Sequence, residues 1–384
     1  MKNKKGLVIV TIIVLMLYIM LFGCSSESEK QNTKTITDLL GREVEVPSNP
    51  QRIVCIGAGA LRLYSYIGDM NKLCGVENVE KTDSIYGKNL SLRAYKELNQ
   101  DLIDSLPDCG KGGPANQSAE AEAILACNPD LIISLYTSDA SAMNELQTQT
   151  NTPVVVLSYG KTTAFDKNVE DSLTLLGEIL NKQDRATELV NYIKELQNDL
   201  STRTSSIEES TKKSVYLGCN SFYGKHGFLS TSGNNSIFNL INIKNAAVSI
   251  TTESSYTMDL EKLVSIDPDI VVLDAGGLAI MKTEYSESST AKVYNSLTAL
   301  KNGEVYLIMP YNAYFTNIEV AYINAYYIAQ VVYSDNFKDI NFKEKSDEIF
   351  NKFLGSNFYE KVANSFYGGC QKVNMGEMFE NYSK

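Results

Sequence analysis

The chain has 384 residues, 46 acidic against 35 basic side chains and a formal charge of −11, with one histidine and no tryptophan. A chain this acidic does not suit a nucleic-acid partner, and one histidine cannot supply a multi-histidine zinc cage. Its length beyond the first few dozen residues exceeds one ordinary hydrophobic core and suits two domains.

Lys2, Lys4 and Lys5 precede an apolar run over 7–21 that ends at Phe22-Gly23-Cys24. The basic start, the short apolar run and the small residue before a cysteine read as a secretory signal over 1–23. Without its three lysines the net charge goes from −11 to −14. Leu21-Phe22-Gly23-Cys24 resembles the bacterial lipobox, which implies lipidation at Cys24. An uncleaved anchor is the alternative, and both readings put the rest of the chain outside the membrane. Residues 24–34 are polar and aperiodic, a flexible tether. The other six cysteines, Cys55, Cys74, Cys109, Cys127, Cys219 and Cys370, form no CxxC pair or ligand cluster, and those in apolar runs read as buried thiols.

From residue 35 the pattern alternates short β-branched runs with helical spacing. Strands are predicted at 53–56, 73–76, 131–135 and 154–157, continuous apolar runs of the kind a covered parallel sheet requires. A stretch without proline over 165–207 then carries apolar residues at helical spacing, including Val169, Leu173, Leu176, Leu189, Ile193, Leu196 and Leu200, and reads as one long helix. Strands resume at 214–217, 270–273 and 304–308, and two helices, 317–333 and 342–354, close the chain. The segments from Ala123 and from Lys262 both run helix, Pro-Asp, apolar strand and small polar loop, with Pro129 and Pro268 equivalent. This echo predicts an α/β fold of two doubly wound lobes, each with a mainly parallel sheet, joined by one long helix: lobes over 35–164 and 208–384, connector over 165–207.

Taken together, the Pro-x-Arg-Ile-Val strand opening at Pro50, the two Pro-Asp joints, the interlobe helix and the segments KHGFLSTSGNNSIFNLINIKNAA and PYNAYFTNIEVAYINAYYIAQVVY resemble the class III substrate-binding proteins of ABC importers, the receptors for ferric siderophores, haem and cobalamin. The resemblance implies an extracytoplasmic, lipid-anchored monomer that is not an enzyme and requires no cofactor. Such a protein captures an iron chelate, ferric siderophore or haem, in the interlobe cleft and hands it to a permease and its ATPase. Cobalamin or another metal chelate is the alternative within this class. A lipid-anchored hydrolase using Ser221 or Ser230 near His226 is the alternative outside it, although no Gly-x-Ser-x-Gly elbow occurs.

Open parallel sheets bind ligands at the carboxyl ends of their strands. The loops there hold Gly59, Arg62, Lys111, Asn116, Tyr136 and Tyr159 in the first half and Tyr223, Lys225, His226, Tyr311 and Tyr314 in the second. Glycine permits close backbone approach, tyrosine gives a flat face with a polar tip, and Arg62, Lys111, Lys161 and Lys225 would together favour an anionic ligand. Gly57-x-Gly59 lacks the third glycine of a dinucleotide loop. His226 reads either as a hydrogen-bonded loop residue or as a metal ligand opposite Tyr136 or Tyr159. The resemblance also implies one permease-docking acid on each lobe, for which Glu97 and Glu261 are the candidates.

Overall fold

The computed structural model describes residues 32–81, 93–113, 118–136, 139–160, 165–222 and 224–381. Cys24, Asn116, Lys161 and Tyr223 lie outside them. An antiparallel hairpin opens the described chain, β1 (Thr33–Thr37) with β2 (Glu43–Pro47). Its turn is held by Asp38, whose carboxylate accepts from the Leu40 and Arg42 amides and from the Arg42 guanidinium.

The first sheet is parallel and contains β3 (Ile53–Ile56), β4 (Leu73–Val76), β5 (Leu131–Ser134) and β6 (Val154–Val156) in the order β4-β3-β5-β6. All their residues are buried, as continuous apolar runs require of strands covered on both faces. The second half contains β7 (Ser214–Gly218), a small antiparallel pair of β8 (Ser230–Thr231) with β10 (Tyr256–Thr257), then β9 (Lys244–Asn245), β11 (Ile270–Asp274), β12 (Val305–Ile308) and β13 (Gln371–Lys372). Its sheet runs β13-β12-β11-β7-β9, parallel except for the antiparallel edge strand β13.

The two Pro-Asp joints do the same work in both halves. Asp130 accepts from the Gln51 and Arg52 amides at the head of β3, and Asp269 accepts from the Ser214 amide at the head of β7. Each carboxylate therefore pins the start of the neighbouring parallel strand, and β4-β3-β5-β6 corresponds to β9-β7-β11-β12.

The stretch expected as one helix over 165–207 is two helices, Lys167–Leu180 and Gln183–Ser205. Asn181 takes a left-handed conformation, φ 55°, and the Lys182 amide donates to the Gly177 carbonyl at 2.8 Å. That is a helix stop in which Asn replaces the usual glycine, and the polar run Asn181-Lys182-Gln183-Asp184 offers no apolar face to carry a helix through. The second helix folds back along the first, with Lys194 at 3.6 Å from Glu170. The connector is this second helix alone, 23 residues and about 34 Å long. Arg185 in its first turn bonds the Tyr66 carbonyl of the first half and the Lys352 and Phe353 carbonyls near the end of the chain. At the other end, Arg203 forms a bidentate pair with Asp339.

Gly177 is where the two helices approach, since a Cβ there would stand 2.5 Å from the Ala186 Cβ. Gly177→Val is expected to lower stability by about 2–3 kcal/mol through overpacking, whereas Asn181→Gly keeps the backbone conformation and loses only the side-chain bonds with Lys34 and the Ser48 carbonyl, a cost of about 1 kcal/mol. Urea-unfolding midpoints of the two variants check both values.

Candidate functional site

The loops that leave the two sheets at their carboxyl ends meet each other. From the first half come the Gly57–Gly59 turn and the helix Ala60–Ile67 after β3, Glu77 after β4, Tyr136 after β5 and Tyr159 after β6. From the second half comes the segment 311–317 after β12, leading into the helix Ile318–Val332.

Arg62 is fully buried, and its guanidinium donates to three carbonyls of that segment: Ala313 at 2.7 Å, Thr316 at 3.0 Å and Tyr314 at 3.1 Å. It also stacks over the Tyr95 ring at 5.2 Å. Burial alone would lower its pKa, but Tyr159, Tyr95, Tyr66 and Glu319 around it hold it above the ordinary arginine value. The Arg62 charge is thus enclosed between the halves and is not the open cleft cation expected of it; Lys161 lies outside the described residues. Lys111 is exposed in the first half, and Lys225 lies on the 224–229 loop of the second.

Glu77 is the second crossing point. Its carboxylate accepts from the Tyr314 hydroxyl at 2.7 Å, the Gly57 amide at 3.0 Å and the Tyr136 hydroxyl, and the Tyr314 hydroxyl in turn accepts from the Gly113 amide at 3.2 Å. Behind it, Glu80 takes hydrogen bonds from Arg93 and Tyr95, with Arg93 5.7 Å from the Tyr314 ring. A third crossing joins the Tyr66 hydroxyl to buried Glu319. Tyr159 packs against Phe315 at 4.4 Å between centroids and donates to the Gly59 carbonyl. Gly59 has no room for a side chain there, because a Cβ would lie 2.7 Å from the Tyr159 ring.

Of the residues singled out from sequence, Gly59, Arg62, Tyr136, Tyr159 and Tyr314 converge on this interface. Tyr311 stands beside it, in a small polar cavity of the second half, about 20 Å³, bounded by residues 220, 222, 232, 234–236, 254, 311–312 and 316. His226 does not join them through any hydrogen bond; its Nε2 lies 3.2 Å from the Phe222 carbonyl oxygen. The hydroxyls of its supposed iron partners are engaged elsewhere, Tyr136 with Glu77 and Tyr159 with Gly59. Burial raises both phenol pKa values, that of Tyr159 to about 12, which disfavours the phenolate an iron ligand needs. Among the described residues no group of three or more His, Cys, Asp or Glu side chains is placed to hold a metal ion. Ser221 Oγ and Ser230 Oγ donate to the Cys219 and Asn220 carbonyls, not to His226. Of the docking candidates, Glu97 is paired with Lys361 at 3.3 Å across the halves, while Glu261 is exposed in the first turn of its helix. The six described cysteines are buried free thiols.

The sequence reading passed over Glu77, Glu80, Arg93 and Glu319. Glu77 carried a usable signal, since it directly follows β4 at a parallel-strand carboxyl end. Glu319 did not: its sequence position fits an ordinary solvated first-turn acid.

Residues 53–311 match the periplasmic binding protein family. The chain belongs to that family. It is 25% identical over 314 residues to the Fe(3+)-citrate-binding protein YfmC of Bacillus subtilis (strain 168), covering 79% of this chain and 89% of that one. It is also 25% identical over 317 residues to the iron(3+)-hydroxamate-binding protein FhuD of the same organism, with 77% and 85% covered. In fold it resembles a periplasmic solute binding protein from Veillonella parvula DSM 2008, with a TM-score of 0.67 at 20% identity over 87% of this chain and 97% of that one. This family member is a substrate-binding protein of an ABC importer, a class that works with a permease and an ATPase. Among the described residues no helix is long and apolar enough to cross a membrane.

Burial raises the Glu77 pKa from 4.5 to about 7, against the hydrogen bonds from Tyr136, Tyr314 and Gly57 and with a further push from Glu80. A carboxyl whose folded pKa exceeds its unfolded value binds its proton more readily when folded. Its contribution is therefore complete below about pH 4.5 and lost as pH rises through about 7. The urea midpoint of the wild type should accordingly fall between pH 5 and pH 8, by on the order of 2 kcal/mol in stability, and Glu77→Gln should flatten that slope.

Proposed function

We propose that this protein captures an anionic, oxygen-rich ferric chelate of the ferric citrate type at the rim between its halves and delivers it to its permease, held at the membrane by a lipid on Cys24. The observation that carries this reading is the meeting of strand-end loops from both parallel sheets across one interface, with Arg62, Glu77 and Tyr314 at its centre. Parallel sheets present their ligand-binding loops at that edge. The relative named for Fe(3+)-citrate binding spans most of the chain and supports ferric iron in a carboxylate chelate as the cargo.

Haem held by protein ligands is disfavoured, because the tyrosines that would face His226 already donate their hydroxyls. A chelate brings its own donors to the iron, and its receptor needs hydrogen-bonding and aromatic surface instead. Phe315, 45% exposed and packed at a tilt against Tyr159, provides such an aromatic face. The connector, pinned at both ends, supports small lobe motion and release driven by the transporter.

Titration with ferric citrate should quench the tyrosine fluorescence of the purified protein with micromolar or tighter affinity, and the loaded protein should stimulate its reconstituted permease and ATPase. Absence of binding to both ferric citrate and a ferric hydroxamate would refute the chelate assignment.

A further inference from the structure

We infer that the small polar cavity of the second half is a subsite for one terminal oxyanionic group of the ligand, such as a free carboxylate of the chelate, bound by neutral hydroxyl and amide donors. The inference rests on the proposed reading of the strand-end rim as the ligand face and adds a location and a chemistry to it.

The cavity opens where segments following β7 and β12 come together, at the carboxyl end of the second sheet. Asn220, Ser232, Asn234, Ser236, Ser254 and Tyr311 form most of its wall, and among the described residues no lysine, arginine, histidine, aspartate or glutamate lines it. In a chain with 46 acidic residues, a carboxylate-free pocket is a poor seat for a metal cation, which takes charged oxygen ligands. An apolar group would strand the polar wall without partners. An acceptor-rich group matches it.

Spare donors are present. Among the described residues, the side-chain hydroxyls of Ser232, Ser236 and Ser254 have no protein hydrogen-bond partner, although Ser232 is 2% exposed. A cavity-lining hydroxyl without a protein partner turns to water or to ligand. The cavity, about 20 Å³, has space for one or two water-sized groups. It would take the tip of a ligand, leaving the body of the chelate outside, where the segment that lines the cavity continues to Phe315.

The wall is also preorganised. Tyr311, Asn312 and Thr316 belong to the segment whose carbonyls Arg62 grips, and the Asn317 amide donates back to the Tyr311 carbonyl at 2.7 Å. Arg62 is therefore a positioning residue for the subsite, acting through the backbone and not by contact with the anion.

The test uses the full chain and three probes: ferric citrate, an uncharged ferric trihydroxamate and inorganic phosphate. The double variant Ser232→Ala with Ser254→Ala deletes two unbonded hydroxyls, so its melting temperature without ligand should match the wild type. Its affinity for ferric citrate should fall about tenfold per hydroxyl, while any affinity for the trihydroxamate stays unchanged. Ser254→Asp, which brings a negative charge to the wall, should abolish ferric citrate binding. Equal ferric citrate affinity in wild type and double variant would overturn the subsite and leave the receptor reading standing. Serine-dependent binding of phosphate, with no chelate bound, would support the subsite and overturn the chelate assignment. A wild type that binds none of the three probes would overturn both.

Discussion

A single buried guanidinium determines how the two halves of this protein stand. Arg62, on the first helix of one half, satisfies three consecutive-region carbonyls of the other. Two residues of that segment, Tyr314 and Phe315, hold left-handed conformations at φ 49° and 71°, which bulky residues avoid. The segment keeps this shape because leaving it would strand a buried cation and break its hydrogen bonds to the Ala313, Tyr314 and Thr316 carbonyls. Each such buried unpaired group costs about 1–3 kcal/mol, more for a charged one. The strained loop, the position of Tyr314 on Glu77 and the wall of the polar cavity all follow from that one arrangement.

The buried charge around it is uneven, two arginines to three carboxyl groups, and Arg93 pairs directly with Glu80 at 2.7 Å. Arg62 and Arg93 stand among Glu77, Glu80 and Glu319, with Tyr66, Tyr95, Tyr136 and Tyr314 donating hydroxyl hydrogens to the carboxylates. Phenols suit this role because each adds an apolar ring to the interface and one donor at its tip. Interfaces built this way tolerate little lateral sliding, since every hydroxyl must keep its acceptor. Rigid alternatives, closed or opened, are favoured over a continuum.

The strands were readable from the sequence because a parallel sheet buried on both faces leaves an unbroken β-branched signature, and β3, β4, β5, β6, β7, β11 and β12 fall within a residue or two of their expected positions. The connector was legible as helix but not in its extent. The break at Asn181 is a backbone conformation, marked in the sequence only by the lapse of apolar residues between Leu180 and Ala186. Strand-end logic placed Arg62, Tyr136, Tyr159 and Tyr314 at one edge of the fold. It could not show that Arg62 faces a loop more than two hundred residues away, because pairing across halves depends on their mutual orientation. Glu319 was hidden for the same reason: a first-turn glutamate looks solvated until a second domain covers it.

The two ends of the connector are fastened differently, and this gives the molecule a preferred axis of deformation. At the Gln183 end one arginine, Arg185, ties together backbone from both halves; at the Ser205 end, Arg203 reaches Asp339 and the Asn336 carbonyl, all within the second half or the connector itself. A torque separating the halves therefore meets a fixed fulcrum at Arg185 and swings the far loops through the longest arc. A transporter gripping both outer faces would need only a small rotation about the base near Tyr66 and Phe353 to loosen the distant loops.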